Sequence, residues 1–274
     1  MRIAVAGSSG LVGAQVCRMA RAAGHEVAPL SRTDGVDLLD ADAVARSLAG
    51  VEAVVDVSRP TGMDLASARE FFTSVASNLA TAGHRTGVRR SVVLSIVGVD
   101  RGQDYDWYIA TLAHERATLE QALGARVLRT TQFHEFPGQV LARALAPGQL
   151  SGSVEIMDVP IQPVDSAEVA RALLALATDP DAGNRQLAGP RRERLVDLVT
   201  DLVAHAGLDL SVVAGPAPAS MAGGSMLPGA DVTTAGVDWH TWLERGGEPA
   251  LDPPVRPTSA RPARRPSPRA SAPS

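Results

Sequence analysis

Short apolar runs alternate with helix-period stretches through the first half of the chain, and that alternation sets the expected fold. Arg2 to Ala6 predicts a strand, Leu11 to Ala23 a helix and Glu26 to Leu30 a second strand. Ala41 to Leu48 predicts a short helix, Ala53 to Val57 a third strand, Asp64 to Ala82 a long helix and Ser91 to Ile96 a fourth strand. Trp107 to Leu123 and Arg126 to Arg129 continue with a helix and a fifth strand. Such repetition indicates βαβ units, hence an α/β fold: a Rossmann-like, doubly wound parallel sheet covered by helices on both faces.

After Arg129 the rhythm loosens. Phe133 to Ala144 predicts a helix, Val154 to Met157 a strand, and Pro163-Val164-Asp165 leads into a periodic helix from Ala167 to Ala177, N-capped by Asp165 or Ser166. Gln186 to Ala188 predicts a strand and Leu195 to Ala206 a helix. From Ala214 to Gly236, glycine, proline, serine and methionine predict a long loop or lid.

The turn after the first strand adds chemistry. Gly7, Gly10 and Gly13 are spaced Gly-x-x-Gly-x-x-Gly and open a helix. Gly7 would permit the tight turn, Gly10 the approach of a pyrophosphate, and Gly13 close packing of helix on sheet. The helix N-terminus would offer unpaired amides to the phosphates. Residues Gly7, Ser8, Ser9, Gly10, Leu11, Val12 and Gly13 are thus the expected cofactor cradle, the alternative being a purely structural turn. The second strand ends Leu30-Ser31-Arg32, and Arg32 with Ser31 suits a 2′-phosphate, which favours NADP(H) over NAD(H). The competing reading makes Arg32 a surface charge and has Asp34 hold the ribose. Asp37 and Leu38 are placed beside the adenine, and Ser58 and Thr111 further along the cofactor.

Composition narrows the chemistry. All positive charge is arginine, since the 274 residues include no lysine. This excludes the tyrosine and lysine catalytic pair common on such folds, a phosphate-loop lysine and a Schiff base. Hydrophobic residues make up 45% and aromatics only 3%, so Ala, Val and Leu must build the core. The net charge is −4, and residues beyond Ala250 carry five arginines against Asp252 alone, so the body is more acidic than the total. That argues against nucleic acid as a partner. No apolar run of about 18 residues appears, and the expectation is a cytoplasmic protein without membrane association. Cys17 stands alone, which excludes an internal disulfide or multi-cysteine metal site; it reads as a small buried residue facing the sheet. No histidine and carboxylate spacing suggests a metal. The expected organisation is a nucleotide-binding domain over residues 1–250, its substrate or lid part from about 131, and a disordered tail over 251–274. That tail is either an arm for RNA or an acidic partner, or only a solvated end.

Several segments together resemble the atypical short-chain dehydrogenase/reductases, particularly the NmrA-like, NAD(P)H-binding group. They are Gly7-Ser8-Ser9-Gly10-Leu11-Val12-Gly13, Ser95-Ile96-Val97-Gly98-Val99, Tyr108-Ile109-Ala110-Thr111-Leu112-Ala113-His114-Glu115, Leu128 to Phe136, and Pro163-Val164-Asp165 leading to Val169-Ala170. The resemblance implies a Rossmann-like domain with a small C-terminal substrate region. In relatives a lysine stands where this chain has Thr111, and where the machinery is complete a tyrosine stands at the place of Trp107. Both are missing here.

Three residues remain as candidates for catalysis. Ser95, at the carboxyl end of the fourth strand, would polarise a carbonyl or else serve a turn. Tyr108 lies one residue past the expected tyrosine, about 100° around the helix, as proton donor or packing residue. His134 follows the fifth strand between Phe133 and Phe136, as a general acid or a structural histidine. Tyr105 would be a lid contact, and His114 and Glu115 solvent or interface contacts. The expected activity is hydride transfer to a small quinone-like or carbonyl substrate by a monomer or homodimer. A non-catalytic NADP(H) sensor and a redox-neutral isomerase or dehydratase are the alternatives.

Overall fold

The computed structural model describes residues 1–62, 64–146, 149 and 151–249. The expected tail over 251–274 lies outside the described residues. Strands β1 (Arg2–Ala6), β2 (Glu26–Leu30), β3 (Ala53–Asp56), β4 (Arg90–Ile96) and β5 (Ala125–Thr130) alternate with helices α1 (Leu11–Ala22), α2 (Ala41–Ser47), α3 (Leu65–Thr86) and α4 (Asp106–Gln121). Beyond them come α5 (Phe136–Ala144), β6 (Ser151–Met157), β7 (Pro160–Ile161), α6 (Ser166–Thr178), β8 (Arg185–Ala188), β9 (Glu193–Arg194) and α7 (Leu195–His205). The last elements are β10 (Asp209–Gly215), α8 (Ala219–Ala222), β11 (Thr233–Thr234) and α9 (Trp239–Glu244).

Seven strands form one sheet in the order β11-β8-β5-β4-β3-β1-β2, each pair parallel. The chain leaves β1 for β2 on one side and then crosses to β3 on the other. This reversal makes a topological switch point, where the carboxyl ends of β1 and β3 diverge into a crevice. Register aligns the exits: Ala6 faces both Leu30 and Asp56, so Gly7, Ser31 and Val57 leave the sheet at one level.

Apolar strands of this kind need cover on both faces. One face packs Val12, Val16 and Cys17 of α1 with Val169, Leu173 and Leu176 of α6; the other packs Val44 of α2 with Val75 and Leu79 of α3. Cys17 is accordingly a buried free thiol, its pKa pushed up by burial. Asp64 caps α3 by accepting from the Ser67 amide, and Asp165 caps α6 by accepting from that of Ala167.

A third core lies beyond the sheet. It joins Ile156 of β6, Leu198 and Leu202 of α7, Met221 of α8 and Trp239 of α9 with Tyr108 and Leu112 of α4. The stretch expected as a long loop or lid therefore differs from expectation. Met221 and Met226 are only 1% and 3% exposed, and β10, α8 and β11 fall within or beside the stretch. Arg101 donates to the carbonyls of Ser225 and Leu227, and Asp104 accepts from the Ser220 amide and hydroxyl. These contacts hold the segment against the loop between β4 and α4.

Candidate functional site

Along the carboxyl edge of the sheet runs a cleft of about 1080 Å3. At its first end the three glycines do different jobs. Gly7 has φ of +81°, and a Cβ there would sit 2.8 Å from the Val57 carbonyl oxygen. A Cβ on Gly13 would fall 2.1 Å from the Gly7 oxygen, so α1 packs directly on the turn. Gly10 is different: its nearest such contact would be 3.4 Å away, and its face lines the cleft. No side chain caps α1, whose first turn opens toward the cleft beside Ser9, Leu11 and Val12. Ser8 turns away, donating 2.6 Å to Asp34 Oδ2, and is not among the lining residues.

Beyond β2, Ser31 also donates to Asp34 Oδ2, at 2.5 Å. The Ser31 and Ser8 hydroxyls hold the Asp34 carboxyl below the ordinary carboxylate range. Arg32 lines the cleft, and no ion pair or hydrogen bond engages its guanidinium among the described residues. Val36, Asp37, Leu38 and Leu39 form the wall beside it. Asn78 donates to the Leu38 carbonyl at 2.9 Å, tying this wall to α3.

Under the middle of the cleft sits a buried carboxylate and imidazole pair absent from the sequence expectations. His114 Nε2 lies 2.9 Å from Asp56 Oδ2, both side chains at most 5% exposed, and the imidazole stacks on Phe72 with centroids 4.5 Å apart. Burial opposes ionisation of Asp56, but the charge and hydrogen bond of His114 and the Ser58 amide outweigh it and keep its pKa low. Ser58 lines the cleft beside this pair.

Glu115, the next residue, is buried as well. It accepts from Ser95 Oγ at 2.6 Å and from Arg129 at 2.6 and 3.0 Å, and Arg129 also reaches Asp100. His114 and Glu115 are thus interior polar groups rather than solvent contacts. The cause is that α4 is buried around much of its circumference, between α3 on one side and the C-terminal core on the other. Periodicity gives no warning of that, although the carboxylate closing the apolar run Ala53-Val54-Val55-Asp56 is a signal that needed a partner.

The far end of the cleft is lined by Ser95, Tyr105, Trp107, Tyr108, Thr111, Phe133, Phe136, Met157, Met221 and Met226. Ser95 and Tyr108 are therefore brought together, but neither is idle. Ser95 is committed to Glu115, and Tyr108 is 3% exposed, with burial raising its phenol pKa well above the ordinary range. Thr111 Oγ1 donates to the Trp107 carbonyl at 2.7 Å. His134 is not brought to the cleft. It is fully buried, with its Nε2 3.0 Å from the Val237 carbonyl, its own carbonyl accepting from Trp239, and its ring against Trp242. Helix α9 covers the position that the sequence left open, so the expected general acid is a core histidine. Among the described residues no cluster of three metal-ligating side chains occurs.

This geometry has known counterparts. The segment from β1 to the turn after β4 matches a family model. Residues 3–99 match the model of the NAD-dependent epimerase/dehydratase family. The matched segment includes the glycine turn, Arg32, Asp56 and Ser95, and is consistent with the short-chain dehydrogenase/reductase resemblance of the motifs. No curated protein matches the chain by sequence. Among solved structures it is similar to MoeE5 in complex with UDP-glucose and NAD, at 18% identity over 90% of this chain and 99% of that one, with a TM-score of 0.68. A dTDP-4-dehydrorhamnose reductase from Bacillus anthracis in complex with NADP is 13% identical over 89% and 97%, TM-score 0.65. A Thermus thermophilus UDP-glucose 4-epimerase complex with NAD is 17% identical over 91% and 94%, TM-score 0.63. At these identities the likeness is one of fold.

Proposed function

We propose that the protein is an NADP(H)-preferring oxidoreductase of the short-chain dehydrogenase/reductase type that passes hydride to a small quinone-like or carbonyl acceptor. One observation carries the reading: a single cleft runs from the glycine turn to an end walled by aromatic and methionine side chains. The residues present fit a dinucleotide. Gly10 offers bare backbone and α1 lacks a side-chain cap where its first turn meets the cleft. The fold neighbours that carry NAD or NADP support the same reading.

A bound reduced nicotinamide would supply the hydride. The chain's own part is to orient and to exclude water. Arg32, unpaired beside the Ser31 and Thr33 hydroxyls, favours a 2′-phosphate. Trp107, Phe136, Met157 and Met221 would press a flat acceptor into place. An acceptor that takes its proton from water needs neither the tyrosine nor the lysine that this chain lacks. A specific observation favours a second reading, cofactor binding without turnover. Ser95, Thr111 and Tyr108, the polar side chains around the expected reaction centre, are all engaged or buried within the protein.

Calorimetric titration with NADPH and NADH, followed by a quinone panel on the same preparation, separates these readings. Binding with turnover supports the oxidoreductase, and tight binding without turnover supports the sensor. No binding of either nucleotide would sink both.

A further inference from the structure

Helix α5 sends three residues into the cleft at helical spacing, Phe136, Gln139 and Arg143, so the wall grades from aromatic through amide to cation. Arg59, in the loop after β3, lines the same cleft. Neither guanidinium makes an ion pair or a hydrogen bond among the described residues. The carboxylates lining the cleft are Asp37 and Glu70, and neither lies within ion-pair distance of these arginines. The two positive charges are near enough to act on each other: partial burial and the field of Arg59 lower the Arg143 pKa, against the opposing influence of Tyr105. A cation in the last turn of a helix is ordinary. A second cation near it on the wall of the same cleft, with no acidic partner for either among the described residues, is not, because like charges so arranged cost free energy unless an anion joins them.

We propose that Arg59 and Arg143 form an anion-binding subsite at the outer end of the cleft, and that the substrate is a flat, largely apolar compound bearing one carboxylate or phosphate. The apolar body would lie among Phe136, Trp107, Met157 and Met221, with the anion between the guanidinium groups. Gln139 would donate to it from one helical turn away. Charge-assisted contacts to planar guanidinium groups are the strong ones, and both carboxylate and phosphate match that geometry. The proposal rests on reading this end of the cleft as the substrate site, and it is independent of whether hydride transfer occurs.

The test is calorimetry on the full chain, with and without saturating NADPH, using 2-naphthoate, 2-naphthyl phosphate and the neutral 2-naphthamide. The expected result is that at least one anion binds about tenfold more tightly than the amide, the better of the two identifying the group. Arg143→Gln and Arg59→Gln should each lower that affinity about tenfold and leave the amide unchanged. NADPH affinity should survive Arg143→Gln. Equal binding of anions and amide would overturn the proposal, as would indifference to Arg143→Gln. Loss of NADPH binding in Arg59→Gln, with naphthoate and naphthyl phosphate unaffected, would assign that residue to the cofactor and overturn the pair. Failure of the unmodified protein to bind NADPH, with the anion preference intact, would remove the cofactor reading and leave this one standing.

Discussion

Single side chains decide which cofactor the cleft accepts and whether its walls hold. At the end of β2, two serine hydroxyls hold Asp34 by Oδ2 and Asp34 is not among the residues lining the cleft, while Arg32 lines it and among the described residues makes no ion pair or hydrogen bond. An aspartate set back from the cleft is poorly placed to grip a ribose, whereas a guanidinium on its wall is ready for phosphate. Arg32→Glu should therefore reduce the preference for NADPH over NADH by at least about tenfold, roughly the worth of a charged hydrogen bond. Equal losses for the two nucleotides in parallel titrations would show that Arg32 does not read the 2′ position. The same scale shows where sequence reading stops. Arg32 and the glycines were legible because their meaning depends on nearby chain. The pairing of Asp56 with His114 spans 58 positions and follows from no local pattern.

The glycine turn and α4 are the elements on which the site depends. In the turn, Gly13→Ala would drive a methyl group onto the Gly7 oxygen, and overpacking of this kind costs about 1–3 kcal/mol. Gly10→Ala meets no such obstacle, so it should leave urea stability nearly unchanged while weakening nucleotide binding. If both variants lost the same stability, the division of labour drawn for these glycines would be wrong. In α4 the buried pair to α3 and β3 gives a second contrast. His114→Leu strands the Asp56 carboxylate in the interior, which typically costs about 3–5 kcal/mol, whereas Asp56→Asn keeps a polar partner and should cost less. Urea melts of the two variants check this order. Element boundaries were read to within a few residues from β1 to β5, since apolar runs and caps mark them. β7, β9 and β11, two residues each, had no periodicity to detect, and β10, α8 and α9 were missed as well.

For the whole molecule, acid stability should carry the mark of a residue that the sequence placed in the wrong layer. Burial lowers the His134 pKa, against the pull of the Val237 carbonyl and of Asp165 and Asp238. The neutral form is the one the fold prefers. Its contribution is therefore present above the unfolded pKa of about 6.5, and it fades as pH falls from there through the folded value. One such group changes stability by at most about 1.4 kcal/mol per pH unit. Denaturation midpoints measured from pH 7.5 to 5 should fall less steeply in His134→Gln than in the unmodified chain. Identical slopes would mean that His134 reaches solvent. The overall architecture was legible because an alternating pattern admits few topologies. The C-terminal core was not, because it is assembled from short pieces whose partners lie across the molecule, as Trp239 does under His134.

The contact between Gly98 and the carbonyl of Ser225 sits outside the nucleotide half of the cleft, yet a Cβ at Gly98 would land 1.7 Å from that oxygen. A methyl group there cannot be absorbed by a side-chain rotation, since what it meets first is the backbone of Ser225. Gly98→Ala would push the Met221 to Met226 segment outward while the first glycine turn stays as it was. The outcome would be a chain that keeps its glycine turn and no longer encloses the far end of the cleft. This one position offers genetic access to the two halves of the site separately, through a change that removes no polar group from either.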